Sequence, residues 1–244
     1  MSVLERMNVA LSTDPASELK LSVIIPVYNE RDTIEEILAR VQAVDVDKEI
    51  IVVDDGSKDG TRQVLSGQAT DEVTVVFHDH NRGKSAAIRT GLAHATGDVI
   101  VIQDADLEYD PEDFLAMLRP IQDGRAQVVY GRRTLSKENP RSAWRFYLGA
   151  RFLTFLTNLL YRADISDEAT CYKMFRADVL KSIRLTSNRF EFCPEVTAKV
   201  RKRGIRIHEV PISYYPRKVH EGKKIGWRDG LEAIWTLVKY RFVS

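Results

Sequence analysis

Val99-Ile100-Val101-Ile102-Gln103-Asp104-Ala105-Asp106-Leu107-Glu108-Tyr109-Asp110-Pro111 joins four β-branched aliphatic residues directly to a run of acids. The aliphatic run reads as a buried strand. On an extended backbone, the i, i+2 spacing of Asp104 and Asp106 puts both carboxylates on one face. Two acids at the end of a buried strand repel each other unless a cation sits between them. A divalent cation already carrying phosphate oxygens resolves that repulsion, and Mg²⁺ or Mn²⁺ takes one or two protein carboxylates plus phosphate. Pro111 opens the next helix, with Asp110 as its N-cap and Glu112 and Asp113 in its first turn. The bland alternative is a solvated acidic turn, because short motifs match by chance.

Working outward, strands and helices alternate. Leu21–Ile25 is a first strand and Asp32–Val44 a helix, with Ile34, Ile37, Leu38 and Val41 on one face. Glu49–Val53 is a second strand, followed by a helix from Thr61 to Ser66, a third strand at Val73–Phe77 and a helix from Ser85 to Ala95 that Gly97 stops. After the strand at 99–102 come a helix at 112–122 and a strand at Gln127–Tyr130. This alternation predicts an α/β fold with a parallel, doubly wound sheet, whose ligands bind at the carboxyl ends of the strands. Tyr28, Asp54, Asp55, Asp104 and Asp106 all fall there.

The second half differs. Arg132–Trp144 is a basic loop, Arg145–Tyr161 an aromatic helix, and Asp164–Phe175 crosses back. Short helices at 178–183 and 195–203, a strand at 205–212 and a basic loop at 214–224 follow, and Gly226–Phe242 is an amphipathic helix. The expected organisation is an N-terminal arm at 1–19, a catalytic domain at 20–225 and a C-terminal amphipathic helix at 226–244.

Composition bounds the function. The chain has 244 residues, 44% of them hydrophobic and 29% charged, as in a soluble globular protein. A net charge of +1 gives no global field for nucleic acid, so none is expected as a partner. Cys171 and Cys193 form no metal-ligand spacing and read as buried or semi-buried thiols in a reducing compartment. Residues 1–20 are mixed polar with an Asp14-Pro15 breaker, unlike a signal peptide. The longest apolar run, Phe146–Tyr161, is interrupted by Arg151.

Three further clusters carry polar groups at strand ends. In Pro26-Val27-Tyr28-Asn29-Glu30 an aromatic can stack on a base and a carboxylate can accept from ribose or base; Asn29 or Asp32 as a helix cap is the plain alternative. Asp54-Asp55-Gly56-Ser57-Lys58-Asp59-Gly60-Thr61 holds more acid than one cap needs, and Gly56 permits a sharp turn. Asn81-Arg82-Gly83-Lys84-Ser85 lacks the P-loop's first glycine, since His78 stands there, but a lysine at a helix N-terminus can still hold a diphosphate. His78 and His80 show no ligand spacing and read as solvated.

In this order, P-V-Y-N-E, V-D-D-G-S-x-D-G-T, N-x-G-K-x-A-A and Q-D-A-D-L-E-Y-D-P resemble a family 2 glycosyltransferase of GT-A fold, a Rossmann-like, mostly parallel sheet flanked by helices. Gly131-Arg132-Arg133, Asp167–Lys173 and Arg217–Lys224 are similar to motifs of the dolichyl-phosphate mannose synthase and polyprenyl-phosphate glycosyltransferase branch. The resemblance implies an inverting, metal-dependent hexosyltransferase. It places Pro26, Tyr28, Glu30, Asp54, Asp55, Lys84, Asp104 and Ala105 at the nucleotide and Asp104, Asp106 and Glu108 at Mg²⁺ or Mn²⁺. Asp106, Asp167, Arg133, Arg217 and Lys224 become the catalytic set, with the arginines and Lys224 holding phosphates. The donor would be a nucleotide-sugar of GDP-mannose or UDP-glucose type.

Two acceptors stay open at this point. A polyprenyl phosphate is already an anion and needs positioning more than a base, whereas a hydroxyl needs a carboxylate such as Asp167 to take its proton. A sugar-phosphate nucleotidyltransferase would need a glycine-rich loop after the first strand, where Val27-Tyr28-Asn29-Glu30 stands. The lipid-phosphate reading draws on the aromatic helix at 145–161, ringed by Arg141, Arg145, Arg151 and Arg162, and on the final helix. That helix puts Trp227, Leu231, Ile234, Trp235, Val238 and Phe242 on one face, with Arg228, Lys239 and Arg241 available to headgroups. Such helices lie in a membrane interface. Localisation is then cytoplasmic, peripheral on a membrane's cytoplasmic face. The alternatives are packing on the sheet or a homodimer contact.

Overall fold

The computed structural model describes residues 19–133, 144–217 and 226–243, the side chains of 144–146 and 227 apart. The arm up to residue 18 and the basic residues Arg141, Lys223 and Lys224 lie outside them. The strands are β1 (Leu21–Val27), β2 (Lys48–Asp54), β3 (Val73–Phe77), β4 (Val99–Ile102), β5 (Val128–Arg133), β6 (Lys173–Arg176) and β7 (His208–Ile212). The helices are α1 (Ile34–Ala43), α2 (Thr61–Leu65), α3 (Lys84–His94), α4 (Asp113–Gln122), α5 (Trp144–Tyr161), α6 (Ala177–Ser182), α7 (Phe192–Lys202) and α8 (Trp227–Phe242).

The strands form one sheet in the order β3-β2-β1-β4-β6-β5-β7. β1 to β4 pair in parallel, as does β5 with β7. β6 runs antiparallel to both of its neighbours. The segment Asp164–Phe175, expected only to cross back, therefore enters the sheet and reverses its direction. The parallel half is buried on both faces, so its strands are nearly unbroken aliphatic runs. Val23, Ile25, Ile50 and Val52 meet α1 and α4 on one face, while Ile24, Ile51, Ile100 and Ile102 meet α3, α6 and α7 on the other. Each such side chain contributes roughly 1.5–3 kcal/mol by leaving water.

α3 sits close to β1 because its contact face is small: Ala86, Ala87 and Gly91 are buried, and a Cβ on Gly91 would meet Ile24 Cγ2 at 2.5 Å. The helix ends at Ala95 without a left-handed glycine. Gly97, expected as its stop, is instead tight against Lys20 O and Ser22 Oγ, where a side chain has no room.

The N-terminus of α3 is fixed from the other side of the chain. Ser85 N donates to Arg189 O at 2.9 Å and Ala86 N to Asn188 O at 3.1 Å. Glu195, buried in the first half of α7, holds that loop. It accepts from Thr186 N at 2.8 Å, Ser187 N at 2.9 Å and Lys199 Nζ at 2.6 Å. Burial would raise its carboxyl, but the hydrogen bonds from Lys199, Ser187 and Thr186 outweigh it and hold Glu195 down to about 2. A folded-state value below the unfolded one stabilises the fold above the ordinary glutamate range, and that gain disappears as pH falls from about 5 towards 2. Glu195→Gln should lower unfolding free energy by about 2 kcal/mol at pH 7 and by much less at pH 3. Urea denaturation of both proteins at the two pH values checks this.

Candidate active site

Seven segments meet at the carboxyl edge of the parallel strands. β1 delivers Tyr28, Asn29 and Glu30, β2 delivers Asp54 and Asp55, and β4 delivers the acid turn. Lys84 opens α3, Arg133 ends β5, Asp167 precedes β6 and Arg217 follows β7. β4 stops at Ile102, so Asp104 and Asp106 lie on a turn beyond it rather than on the strand itself. Ala105 between them is buried. Leu107 adopts φ +61°, an uncommon conformation for a residue with a branched side chain, and this is where the chain reverses between Asp106 and Glu108.

The acids meet cations. Lys84 Nζ lies 2.5 Å from Asp104 Oδ1. Burial, then the charges of Asp104 and Glu108, push the Asp106 carboxyl above its ordinary range, with Arg217 pulling the other way. Arg217 stitches three elements together: Nη2 donates to Glu30 Oε2 at 2.8 Å, Nε to Asp106 O at 2.8 Å, and its backbone N to Glu108 Oε1 at 2.9 Å. Tyr214 Oη donates to Glu108 Oε2 at 3.0 Å. Both Glu108 oxygens therefore have protein partners, and the residue expected as a third metal ligand holds Arg217 and Tyr214.

Asp104 and Asp106 offer carboxylate oxygens two residues apart on one turn. That chemistry fits a hard divalent cation such as Mg²⁺ or Mn²⁺. Among the described residues no three His, Cys, Asp or Glu side chains converge as a metal cage. A cation would take Asp104 and Asp106 and complete its shell from a ligand's phosphate and water.

Arg133 and Asp167, read separately in the sequence, form one bidentate pair. Nε–Oδ2 and Nη2–Oδ1 are both 2.7 Å, and Arg133 N adds a third bond at 3.3 Å. Burial works against ionisation of Asp167, but Arg133's charge and hydrogen bonds prevail and hold its carboxyl below the usual range. Tyr214 lies under this guanidinium, 5.0 Å from ring centre to Cζ.

The acids at the end of β2 are engaged by the protein's own groups. Asp54 Oδ1 accepts from Ser57 N at 3.3 Å, and its Oδ2 pairs with Arg62 Nε at 3.3 Å. Asp55 accepts from Arg82 N at 2.9 Å, Gly83 N at 2.7 Å and His78 Nδ1 at 2.7 Å. His78, expected to be solvated, is buried between Asp55 and Thr90 Oγ1. Gly83 takes φ +94°, and a Cβ there would meet the Asn188 carbonyl oxygen at 2.3 Å, so only glycine fits at this turn. No local pattern marks His78, because its partners are 23 and 12 residues away. Sequence reasoning also missed the tyrosine stack beneath the acid turn. Tyr109 and Tyr172 are stacked with centroids 5.0 Å apart, and Tyr172 Oη donates to Asp110 O at 2.8 Å. Tyr109 in the motif was the available signal. Asp110 itself accepts from Glu112 N at 3.2 Å, one turn ahead of α4, whose N-cap position belongs to Glu112.

This arrangement, acid turn and cations at the carboxyl edge of a mostly parallel sheet, is that of a GT-A glycosyltransferase fold. The Glycosyl transferase family 2 profile matches residues 22–184, and the chain belongs to that family. Among curated relatives, the dolichol-phosphate mannosyltransferase of Pyrococcus furiosus is 31% identical over 91% of this chain and 64% of its own length. The undecaprenyl-phosphate 4-deoxy-4-formamido-L-arabinose transferase of Enterobacter sp. (strain 638) is 28% identical over 84% of this chain and 62% of its own. The chain thus spans less than two thirds of these relatives. The glucosyl-3-phosphoglycerate synthase of Mycobacterium tuberculosis, in complex with Mn²⁺, UDP and phosphoglyceric acid, superposes with a TM-score of 0.73. It is 22% identical, over 94% of this chain and 81% of that one, a likeness of fold.

The Asp55 geometry yields a prediction. Asp55→Ala should release the Asn81–Lys84 turn, cost about 2 kcal/mol of stability and speed amide exchange at Arg82 and Gly83. Hydrogen exchange read by mass spectrometry checks it. Unchanged protection at those two amides would mean that Asp55 is free for a ligand.

Proposed function

We propose that this chain transfers a hexose, with inversion, from a nucleotide-sugar of GDP-mannose or UDP-glucose type to a polyprenyl phosphate at a membrane surface. One observation carries the reading: Asp104 and Asp106 share a turn that Lys84 and Arg217 approach from separate elements. Donor binding falls to Pro26, Tyr28, Glu30 and Ala105, with Asp54 and Asp55 shaping the pocket through the turns they hold. A divalent cation on Asp104 and Asp106 would supply Lewis-acid neutralisation of the departing diphosphate. Lys84 and Arg217 add fixed positive charge where the leaving group gains negative charge. In this reading, residues 20–225 make up the transferase unit and 226–244 a surface helix.

A phosphate acceptor agrees with the state of Asp167. A carboxylate locked in a bidentate pair and held below its usual range is a weak base, poorly suited to taking a hydroxyl proton. It holds Arg133 in place instead, and an oriented guanidinium suits a phosphate. Lys224, outside the described residues, is proposed for the same work.

The membrane surface is supported by what α5 and α8 leave uncovered. They pack together through Leu153, Leu156, Tyr161, Leu237 and Tyr240. Leu148, Phe152, Phe155 and Leu159 form an exposed stripe on α5, with Leu159 65% exposed. On α8, Leu231, Trp235 and Phe242 do the same, at 56%, 66% and 83%. Arg151, Arg162, Arg228, Lys239 and Arg241 are exposed on or beside these helices. Apolar stripes flanked by cations fit anionic lipid. Among the described residues no helix is long and apolar enough to cross a membrane.

Two outcomes test the reading. In a panel of labelled nucleotide-sugars with polyprenyl phosphate, one donor should give glycosyl-phosphoryl-polyprenol by mass, and Asp104→Asn and Asp106→Asn should each lower turnover by about 10³-fold while staying folded. Product on a water-soluble hydroxyl acceptor alone would overturn the acceptor assignment. In flotation with anionic liposomes the chain should rise with the vesicles, and Phe155→Glu with Trp235→Glu should leave it at the bottom.

A further inference from the structure

Lys84 has a second partner besides Asp104. Its Nζ lies 3.3 Å from Cys171 Sγ. Cys193 Sγ reaches the backbone carbonyl of Thr170, the residue just before Cys171, at 3.5 Å, which brings the second thiol beside the first. Cys171 belongs to the loop between Asp167 and β6, and Cys193 to the first turn of α7, so the contact joins two segments that flank the donor pocket. Both cysteines are free and partly exposed. Transfer chemistry uses neither of them.

A thiol is reactive as its thiolate, and nearby cations favour that form. Lys84 and the buried Lys173 both act on this pair. Contact with Cys171 favours the Cys193 thiolate, burial opposes it, and the charges of Lys173 and Lys84 favour it further. An acidic thiol in contact with a second one is the arrangement in which a first oxidation product is captured internally.

We propose that Cys171 and Cys193 are a dithiol modification site that closes to a disulfide with hydrogen peroxide as oxidant. The Cys193 thiolate attacks a peroxide oxygen, the O–O bond breaks, and the sulfur becomes a sulfenic acid as the other oxygen leaves as water. Cys171 then attacks that sulfur, the S–S bond forms, and the sulfenic oxygen leaves as a second water. Two thiols lose two electrons and two protons, and one peroxide is reduced to two waters. Closure removes the thiol that Lys84 touches and ties the Asp167 loop to α7. The effect on donor binding rests on the donor-site reading above; the closure itself does not.

The test uses the full chain, reduced, desalted and exposed to hydrogen peroxide, then alkylated and digested. The expected result is a peptide pair joined through Cys171 and Cys193, two hydrogen atoms lighter than its reduced halves. The melting temperature should rise by roughly 5 °C, because the cross-link constrains the unfolded chain. Titrations with UDP and GDP in the presence of Mn²⁺ should show about tenfold weaker binding of the nucleotide after oxidation, the scale of one charge-assisted hydrogen bond. Dithiothreitol should reverse all three changes, and Cys171→Ser and Cys193→Ser should abolish them. Sulfinic acid without a cross-link, an intermolecular disulfide, or a cross-link without a melting shift would overturn the proposal. A reduced chain that binds neither nucleotide would sink the donor-site reading, and the mass and melting results would still decide the dithiol site.

Discussion

Glu30, Asp104, Asp106 and Glu108 arrive from two strand ends at one patch of the sheet's carboxyl edge, and their mutual repulsion must be offset for the edge to form. Lys84 offsets it at Asp104, and Arg217 at Glu30 and beside Asp106. These cations come from the N-terminus of α3 and from the segment after β7. The acid turn thus dictates where two otherwise unrelated parts of the chain must end. Asp106 remains above its ordinary range even so, through its burial first and then the charges of Asp104 and Glu108.

The position of Lys84 has a long support. Asp55 anchors the turn before it through Arg82 N and Gly83 N, and His78 fills the other side of that carboxylate. The loop at Asn188 and Arg189 holds the helix start from the opposite side, and Glu195 holds that loop. Each link is an ordinary hydrogen bond of about 1 kcal/mol, stronger where a carboxylate takes part. Their joint effect is to leave the lysine little freedom, as a site that must place charge accurately requires. The Arg133–Asp167 pair is supported in the same way, with Tyr214 and the Tyr109–Tyr172 stack packed against it.

The second half of the chain adds a surface of a different kind. α5 and α8 bury one stripe against each other and turn another outward. The two inward stripes complete a small core with Ala198 of α7. Those outward stripes are the surface proposed above for contact with a membrane.

The strands of the parallel half, the helices between them and the cluster of polar residues at their ends were legible in the sequence, because each depends on local features. Aliphatic runs bounded by glycine and acids specify buried strands, and the 3.6-residue period specifies α1 and α4. Three features were not legible: the antiparallel course of β6, the burial of His78, and the outward set of side chains on α5. An amphipathic or wholly apolar segment announces that it will be buried but not against what. Which chemical groups gather at the carboxyl edge of the sheet follows from local order along the chain, because strand ends and their acids are adjacent in it. Only the tertiary structure decided which cation meets which acid: Arg217 and Glu30 are 187 residues apart, Arg133 and Asp167 are 34 apart, and no local pattern encodes a partner that chain closure alone brings within 3 Å.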